Sequence, residues 1–213
     1  MKLKILAKWT GLSLLVLFSL TLIFSPLLTQ LFVAWRTNQS RNFEADLAGN
    51  FNRWIDVDFP ADLDIQPPQL VETLTTNVDK GMIIANIRVN SVGIDLPVFK
   101  GVEHLMSGAG TVIPRRQPGL NNFVVAGHNM LNRNLLFAPL QRVQIGDTVE
   151  IDNGHNVYKF AVDNIFRVHK SQVEVLENTA TPMLTLITCE SAMITPYRMI
   201  VTAQPLFDVE QSG

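Results

Sequence analysis

The sequence predicts an all-β domain, a closed or nearly closed β-barrel with short helices, carried behind one N-terminal membrane helix and a stalk. Three observations support this. From Met82 onward, short runs rich in Ile and Val alternate with turn residues, and little of the chain reads as helix. From Trp9 to Trp35 no residue is charged, a run longer than the ~20 positions a helix needs to cross a bilayer. Between the two lies a polar, acidic stretch containing the Pro67-Pro68 pair.

The expected organisation is a cytoplasmic N-terminus (1–8), an anchor (9–35), an extracytoplasmic stalk with a short helix (36–80), the barrel (81–207) and a C-terminal tail (208–213). Lys2, Lys4 and Lys8 precede the apolar run without any acidic residue, so the positive-inside rule places the N-terminus in the cytoplasm. Trp9 and Trp35 stand where interfacial aromatic anchors belong. A cleaved signal peptide fits less well, because the run exceeds the ~7–15 residues of an h-region and no A-x-A-like site follows. The chain carries 17 Lys and Arg against 19 Asp and Glu, and its basic N-terminus leaves the remainder mildly acidic. No basic stripe is present, which excludes nucleic acid as a partner.

Within the stalk, Gln69–Val78 reads as a short helix behind its prolines. Strands follow at Met82–Val89 and Ile94–Phe99, then a segment with Gly108 and Gly110, and a loop from Pro114 to Asn122. Phe123–Ala126 is a short apolar run ending at Gly127. Leu135–Leu140 reads as one helical turn closed by Pro139, and Gly146-Asp147 as a turn. Thr148–Ile151, Val157–Val168, Met183–Thr188 and Met199–Ala203 complete the strands.

The single cysteine, Cys189, cannot pair within its own chain. It is either a small buried hydrophobe or a reactive thiol. Its place directly after T-L-I-T, at the end of an apolar strand, favours the second, since a strand end is a rigid platform for a side chain. A cysteine nucleophile needs a partner for its proton, and four histidines are available. His155 in N-G-H-N reads as a turn residue, His169 as an exposed strand end, and His104 as either buried or exposed. His128, in V-V-A-G-H-N, follows a β-rich run as Cys189 does, with Gly127 permitting a close backbone path. On position alone it can still be structural. An acyl transfer also needs a group for the developing oxyanion. Arg198 starts the strand after Cys189 and returns beside it in a hairpin; Arg88 and Arg142 are alternatives in exposed-looking contexts.

Together A-G-H-N (Ala126–Asn129), T-L-I-T-C (Thr185–Cys189) and Arg198 resemble the sortases, transpeptidases of the Gram-positive cell surface. The resemblance extends from about Met82 to Leu206 and includes D-L-P-V-F-K-G (Asp95–Gly101), G-A-G-T (Gly108–Thr111), L-L-F-A-P-L (Leu135–Leu140) and I-G-D (Ile145–Asp147). The A-G-H segment and the N-terminal anchor are similar to class A, the housekeeping members.

That resemblance implies an eight-stranded sortase-like barrel with its site at the rim, Cys189 as nucleophile, His128 as acid and base, and Arg198 on the oxyanion. It implies secreted proteins with a C-terminal L-P-x-T-G signal as substrate, cleaved between Thr and Gly. A lipid-linked peptidoglycan precursor would be the amine acceptor. Ala126, Ile187 and Thr188 would flank the signal, with Val173, Val175 and Leu176 giving apolar contact for its Leu-Pro pair. No cofactor or metal is expected. Glu174 and Glu177 lie in the loop where some class A members hold calcium, but read as a solvated acidic loop. Localisation would be the cell membrane, single-pass, with the catalytic domain outside. A pilin-polymerising sortase is the nearest alternative. Asp58-Phe59-Pro60 has the wrong order for the lid motif of that class, and Gln211-Ser212-Gly213 is not an apolar tail. A non-catalytic anchored β-domain would leave the strand-end Cys189 and His128 unexplained. Papain-like enzymes place Cys before His, and L,D-transpeptidases use an S-H-G-C-like segment; neither pattern occurs.

Overall fold

The computed structural model describes residues 2–41, 45–52, 63 and 78–206. Eight strands close a barrel: β1 (Ile83–Val89), β2 (Ile94–Phe99), β3 (Ala109–Thr111), β4 (Asn122–Ala126), β5 (Thr148–Asp152), β6 (Val157–His169), β7 (Met183–Cys189) and β8 (Tyr197–Pro205). Their order around the barrel is β1-β2-β3-β4-β7-β8-β6-β5, and β5 pairs back onto β1. Neighbours run antiparallel except β2 with β3 and β4 with β7, which are parallel. Closure leaves no exposed sheet edge among these strands.

The pleat sorts the side chains of the site-bearing strands into two layers, because successive residues face opposite sides. Phe123 and Val125 of β4, Leu184 and Leu186 of β7, and Val201 and Ala203 of β8 fill the interior with Ile87, Leu96 and Phe160. Val124, Ala126, Ile187 and Ile200 face outward into a second apolar cluster, with Leu63, Val168 and Leu176 packed over them. The catalytic candidates belong to this outer layer.

The expected strands are present, with three local differences. The glycine-bearing segment forms a true strand, β3, where a Cβ at Gly110 would collide with the Gly101 carbonyl. Pro139 opens a helical turn rather than closing one: the 3-10 turn is Ala138–Arg142, with the proline at its start, where its missing N–H leaves nothing unsatisfied. Another 3-10 turn, Val173–Leu176, lies in the loop before β7. The helix expected over Gln69–Val78 falls outside the described residues except for Val78, which sits in coil. The tail 208–213 and Asp58-Phe59-Pro60 also lie outside them.

The N-terminal helix α1 (Lys2–Arg41) is longer than the charge-free run, and it bends. Its arms Leu12–Thr21 and Ile23–Ser40 meet at 50°. The bend is where Pro26 would break the ladder: proline has no N–H for the carbonyl one turn earlier, and its ring crowds that oxygen. No single described helix is long and apolar enough to cross a membrane, whereas the two arms together are by length and composition. The first arm exposes Leu14, Leu15, Leu17 and Phe18. The second buries Val33, Thr37 and Ser40 on the barrel, and its Ser40 hydroxyl donates to the Ser107 carbonyl. Within the expected stalk, α2 (Leu47–Asn52) docks on β1 through the Asn50 amide, which donates to the carbonyls of Lys80 at 2.8 Å and Ile83 at 3.0 Å.

Asn122, at the start of β4, fastens the loop before β7 to the barrel. It is almost fully buried; its Nδ2 donates to Val175 and Glu177 carbonyls, each at 3.0 Å, and its Oδ1 accepts from the Thr185 hydroxyl at 2.7 Å. Asn122→Ala strands all three partners, and leaving buried polar groups unsatisfied costs about 2–3 kcal/mol. A urea unfolding midpoint that does not fall in the variant would show that this junction contributes nothing.

Candidate active site

Strand pairing assembles the three candidates into one row. Parallel β4 and β7 pair Ala126 with Ile187, and antiparallel β7 and β8 pair Ile187 with Ile200. One pleat repeat further on, Cys189 pairs with Arg198. On the β4 side the join continues past the strand end, since the Thr188 hydroxyl donates to the Gly127 carbonyl at 2.8 Å across a separation of 61 residues. The same offset relates His128 to Cys189. His128, Cys189 and Arg198 thus form the end row of three adjacent strands, directly beyond the apolar row Ala126–Ile187–Ile200. Side chains two apart share a face, so both rows open on the same side of the sheet.

Hydrogen bonds brace the row on its His128 side. The Gly127 N–H donates to the Ile187 carbonyl at 3.0 Å, and the Phe137 N–H to the His128 carbonyl at 3.0 Å. The Asn129 amide donates to the Cys189 carbonyl at 2.8 Å, tying the residue after His128 to the nucleophile's own backbone. Gly127 serves close packing: a Cβ there would stand 2.6 Å from the buried Phe137 ring.

All three side chains are buried, with exposures of 5% for Cys189, 5% for His128 and 2% for Arg198. Burial lowers the His128 imidazole to about 4, so the ring is neutral at neutral pH, and among the described residues its Nδ1 has no hydrogen-bond partner. A neutral imidazole beside a thiol can take the thiol's proton. Arg198 is held by three carbonyls: its Nε donates to Leu63 at 2.6 Å, and its Nη1 to Thr195 at 2.9 Å and Tyr197 at 3.0 Å. Leu63, itself 1% exposed, therefore places a main-chain oxygen on the guanidinium while its side chain fills the outer apolar cluster. The guanidinium is thus already holding carbonyl oxygens.

The other candidates separate. Ala126, Ile187, Leu176 and Val175 gather in the outer cluster. Val173 is 38% exposed and stands apart from it. Thr188 points to the opposite face from Ile187 and Cys189, and its hydroxyl is used on Gly127. His155 and His169 are exposed. His104 is buried with its Nδ1 unpartnered and its ring 5.1 Å from that of Phe99, away from the row. Arg88 pairs with Asp95 at the surface, and Arg142 is also exposed. Among the described residues no cluster of His, Cys, Asp and Glu could hold a metal ion. Sequence reasoning missed Asn122, Asn129 and Leu63. The A-G-H-N motif contains Asn129, but nothing local announces the contact it makes.

Gly127→Ala forces the Phe137 ring or the backbone to move, and overpacking of this kind costs about 1–3 kcal/mol; an unfolding curve unchanged from the native one would refute the close-approach argument. The unfolded chain takes up a proton on the His128 ring near 6.5, whereas the folded chain does so only near 4. Stability is therefore full above 6.5 and falls as pH drops toward 4. Between pH 7 and pH 5 the loss from this ring is about 2 kcal/mol, and His128→Gln removes it. Urea midpoints at the two pH values measure the difference, and equal pH sensitivity in both proteins would contradict it.

The Sortase domain family matches residues 87–206. Sortase A of Listeria monocytogenes is 28% identical over 197 residues, covering 89% of this chain and 87% of the relative. Sortase A of Bacillus anthracis is 34% identical over 139 residues, covering 64% of this chain and 66% of the relative. The solved structure of the Listeria monocytogenes sortase A aligns with a TM-score of 0.58 at 30% identity, over 59% of this chain and 88% of that one. With the barrel, the motifs and the family match in agreement, this chain belongs to the sortase family, is class A-like, and is a cysteine transpeptidase.

Proposed function

We propose that the chain cleaves an L-P-x-T-G-type sorting signal between Thr and Gly and passes the acyl group to an amine of a peptidoglycan precursor, anchoring surface proteins to the cell wall. The observation that carries this reading is the register row His128–Cys189–Arg198 lying beyond an apolar floor. The floor, Ala126, Ile187 and Ile200 with Leu176 and Val175 beside it, suits the Leu-Pro end of the signal. It is the pocket now filled by Leu63, which a substrate leucine would have to replace.

In the first step His128 takes the Cys189 proton and the thiolate attacks the Thr carbonyl carbon. A C–S bond forms, and Arg198 donates to the oxygen as it becomes negative. The C–N bond to Gly then breaks, and His128 returns the proton to the leaving amine. In the second step an incoming amine attacks the thioester and gives its proton to His128, and the thiolate departs. One residue acts as base and then acid because the proton it takes from Cys189 is the one it gives to the leaving amine.

The apolar residues of α1 with Lys2, Lys4 and Lys8 ahead of them support a single-pass anchor with the N-terminus in the cytoplasm. Since Thr29 and Val33 are already buried, the lipid-facing part would end near Leu28, short of Trp35.

The test uses the full chain in detergent micelles, a quenched L-P-x-T-G peptide and triglycine, followed by mass spectrometry. Ligated product forms with the native chain and is absent with Cys189→Ala. Arg198→Lys keeps a buried cation but loses the fork of donors, and removing such a contact lowers kcat by about 100-fold or more. A folded native chain that cleaves no sorting peptide from a library would sink the reading, and an Arg198→Lys variant with native kcat would remove Arg198 from the oxyanion role.

A further inference from the structure

On the single-pass anchor reading, the lipid-facing part of α1 ends near Leu28. Gln30 lies two residues further, about 3 Å along the helix axis. The headgroup layer on each side of the hydrocarbon is about 5–8 Å deep, so Gln30 stands within it. Its side chain accepts from the Asn132 N–H at 3.1 Å. The loop after β4 is therefore fastened to α1 at the level where lipid headgroups begin. Leu31 of α1 is exposed, which keeps the helix surface apolar at that same level.

What this end of the barrel presents outward is apolar and basic. Leu131 is 60% exposed, and it shares a groove of about 450 Å³ with Met193, 70% exposed, in the loop after β7. Ile194, next in that loop, is 89% exposed. The two loops form the walls of the groove, joined at their root by the Asn129–Cys189 hydrogen bond. Arg133 also lines it, and Arg142 Nη1 donates to the Arg133 carbonyl at 2.7 Å, so two exposed arginines share this end. Glu190 lines the groove as well, with its carboxylate paired to Arg167 at 2.9 Å. Exposed apolar side chains flanked by basic ones suit a lipid interface, where the first enter the headgroup layer and the second meet its phosphates.

The face is held rigidly. Asn129 forms a β-bridge with Leu136, and Met130 and Leu136 pack in the core cluster that includes Val33 of α1. Apolar exposure alone does not single it out, since Val157 and Leu206 are exposed too. Those two lie at the far end of the barrel. Val157 pairs with Asp152 beside the β5–β6 turn, and Phe160 with Pro205 at the end of β8, whereas Cys189 pairs with Arg198 at the start of β8. The near face is selected by its attachment to α1, beside the lipid-facing arm.

We propose that this face is a second membrane contact: Leu131, Met193 and Ile194 enter the headgroup layer of an anionic bilayer and Arg133 meets its phosphates, so that the barrel rests on the membrane by the end at which β4 and β7 finish. The proposal rests on the single-pass anchor reading and adds to it a surface of the barrel itself. α1 supplies most of the attachment, and the loops set the height and tilt of the barrel above the bilayer. Because the anchor already holds the loops at the surface, little freedom is left to lose, and a few side chains suffice.

The test uses the full chain with Cys189→Ala, so that one introduced cysteine carries an environment-sensitive fluorophore, in vesicles of equal parts phosphatidylcholine and phosphatidylglycerol. Lipids bearing a nitroxide at the headgroup or at mid-chain quench the fluorophore by contact. At Leu131→Cys and Met193→Cys the headgroup nitroxide quenches; at His155→Cys, in the exposed β5–β6 turn at the far end, it does not. A fluorophore at Phe18→Cys, quenched by the mid-chain nitroxide, reports on the anchor separately. Adding Arg133→Gln lowers the ratio of docked to undocked barrel about fivefold, the effect of one basic residue near an anionic surface, and leaves the Phe18 signal unchanged. Quenching at Phe18 without quenching at Leu131 and Met193 overturns the membrane contact and keeps the anchor. No quenching at Phe18 overturns the anchor reading and this proposal with it. A Leu131 fluorophore in apolar surroundings that no nitroxide reaches is covered by protein, a second copy or another partner, and overturns the lipid assignment. Equal headgroup quenching at Leu131 and His155 shows that the barrel has no fixed face on the membrane, and overturns it too.

Discussion

The site depends on one join, the parallel pairing of β4 with β7. Parallel strands next to one another in a sheet end at the same edge, so residues just past their C-terminal ends fall side by side. His128 and Cys189 are 61 residues apart in the chain yet occupy the same level, as the Thr188–Gly127 bond between them shows. The antiparallel return of β8 adds Arg198 to that level. A one-residue slip in either pairing would move a whole strand's side chains to the other face. It would put Thr188 where Cys189 stands. The interior residues Phe123, Val125, Leu184 and Leu186 oppose such a slip, because it would bring them out of the core.

Burial then sets the chemistry of the row. The surroundings of His128 disfavour its charged form, so the ring rests neutral, and among the described residues its Nδ1 has no hydrogen-bond partner. Arg198 is accommodated in the same surroundings by carbonyl oxygens that accept from its donors. Buried polar atoms that are satisfied hold the geometry. Thr188, Asn129 and Asn122 are of this kind: each donates to the backbone of a neighbouring segment.

The N-terminal part of the chain bears on the site more than a tether would. Leu63 covers the apolar floor and engages Arg198, α2 seals the barrel beside β1, and the second arm of α1 braces the wall that follows His128. The bend between Thr21 and Ile23, one turn ahead of Pro26, separates an arm with apolar residues exposed from an arm whose one face is committed to the barrel. The barrel and the second arm of α1 are therefore packed together, with buried side chains between them.

The barrel strands, and the three candidate residues that the structure brings into one row, were legible in the sequence, because both are written in local signals. Alternating Ile and Val runs broken by Gly, Asn and Pro mark strands by period alone, and Cys189 and His128 announce themselves by following such runs. The turn at Ala138–Arg142 was misread at its end, since Pro139 starts a 3-10 turn as readily as it stops an α-helical one. What only the tertiary structure decided are contacts between distant segments: Leu63 on Arg198 across 135 residues, Asn129 on the Cys189 carbonyl across 60, and the groove between the walls that follow His128 and Cys189. An asparagine or a leucine looks the same in sequence whether it faces water or a buried carbonyl, and its partner is chosen by the pairing of strands that no local pattern encodes.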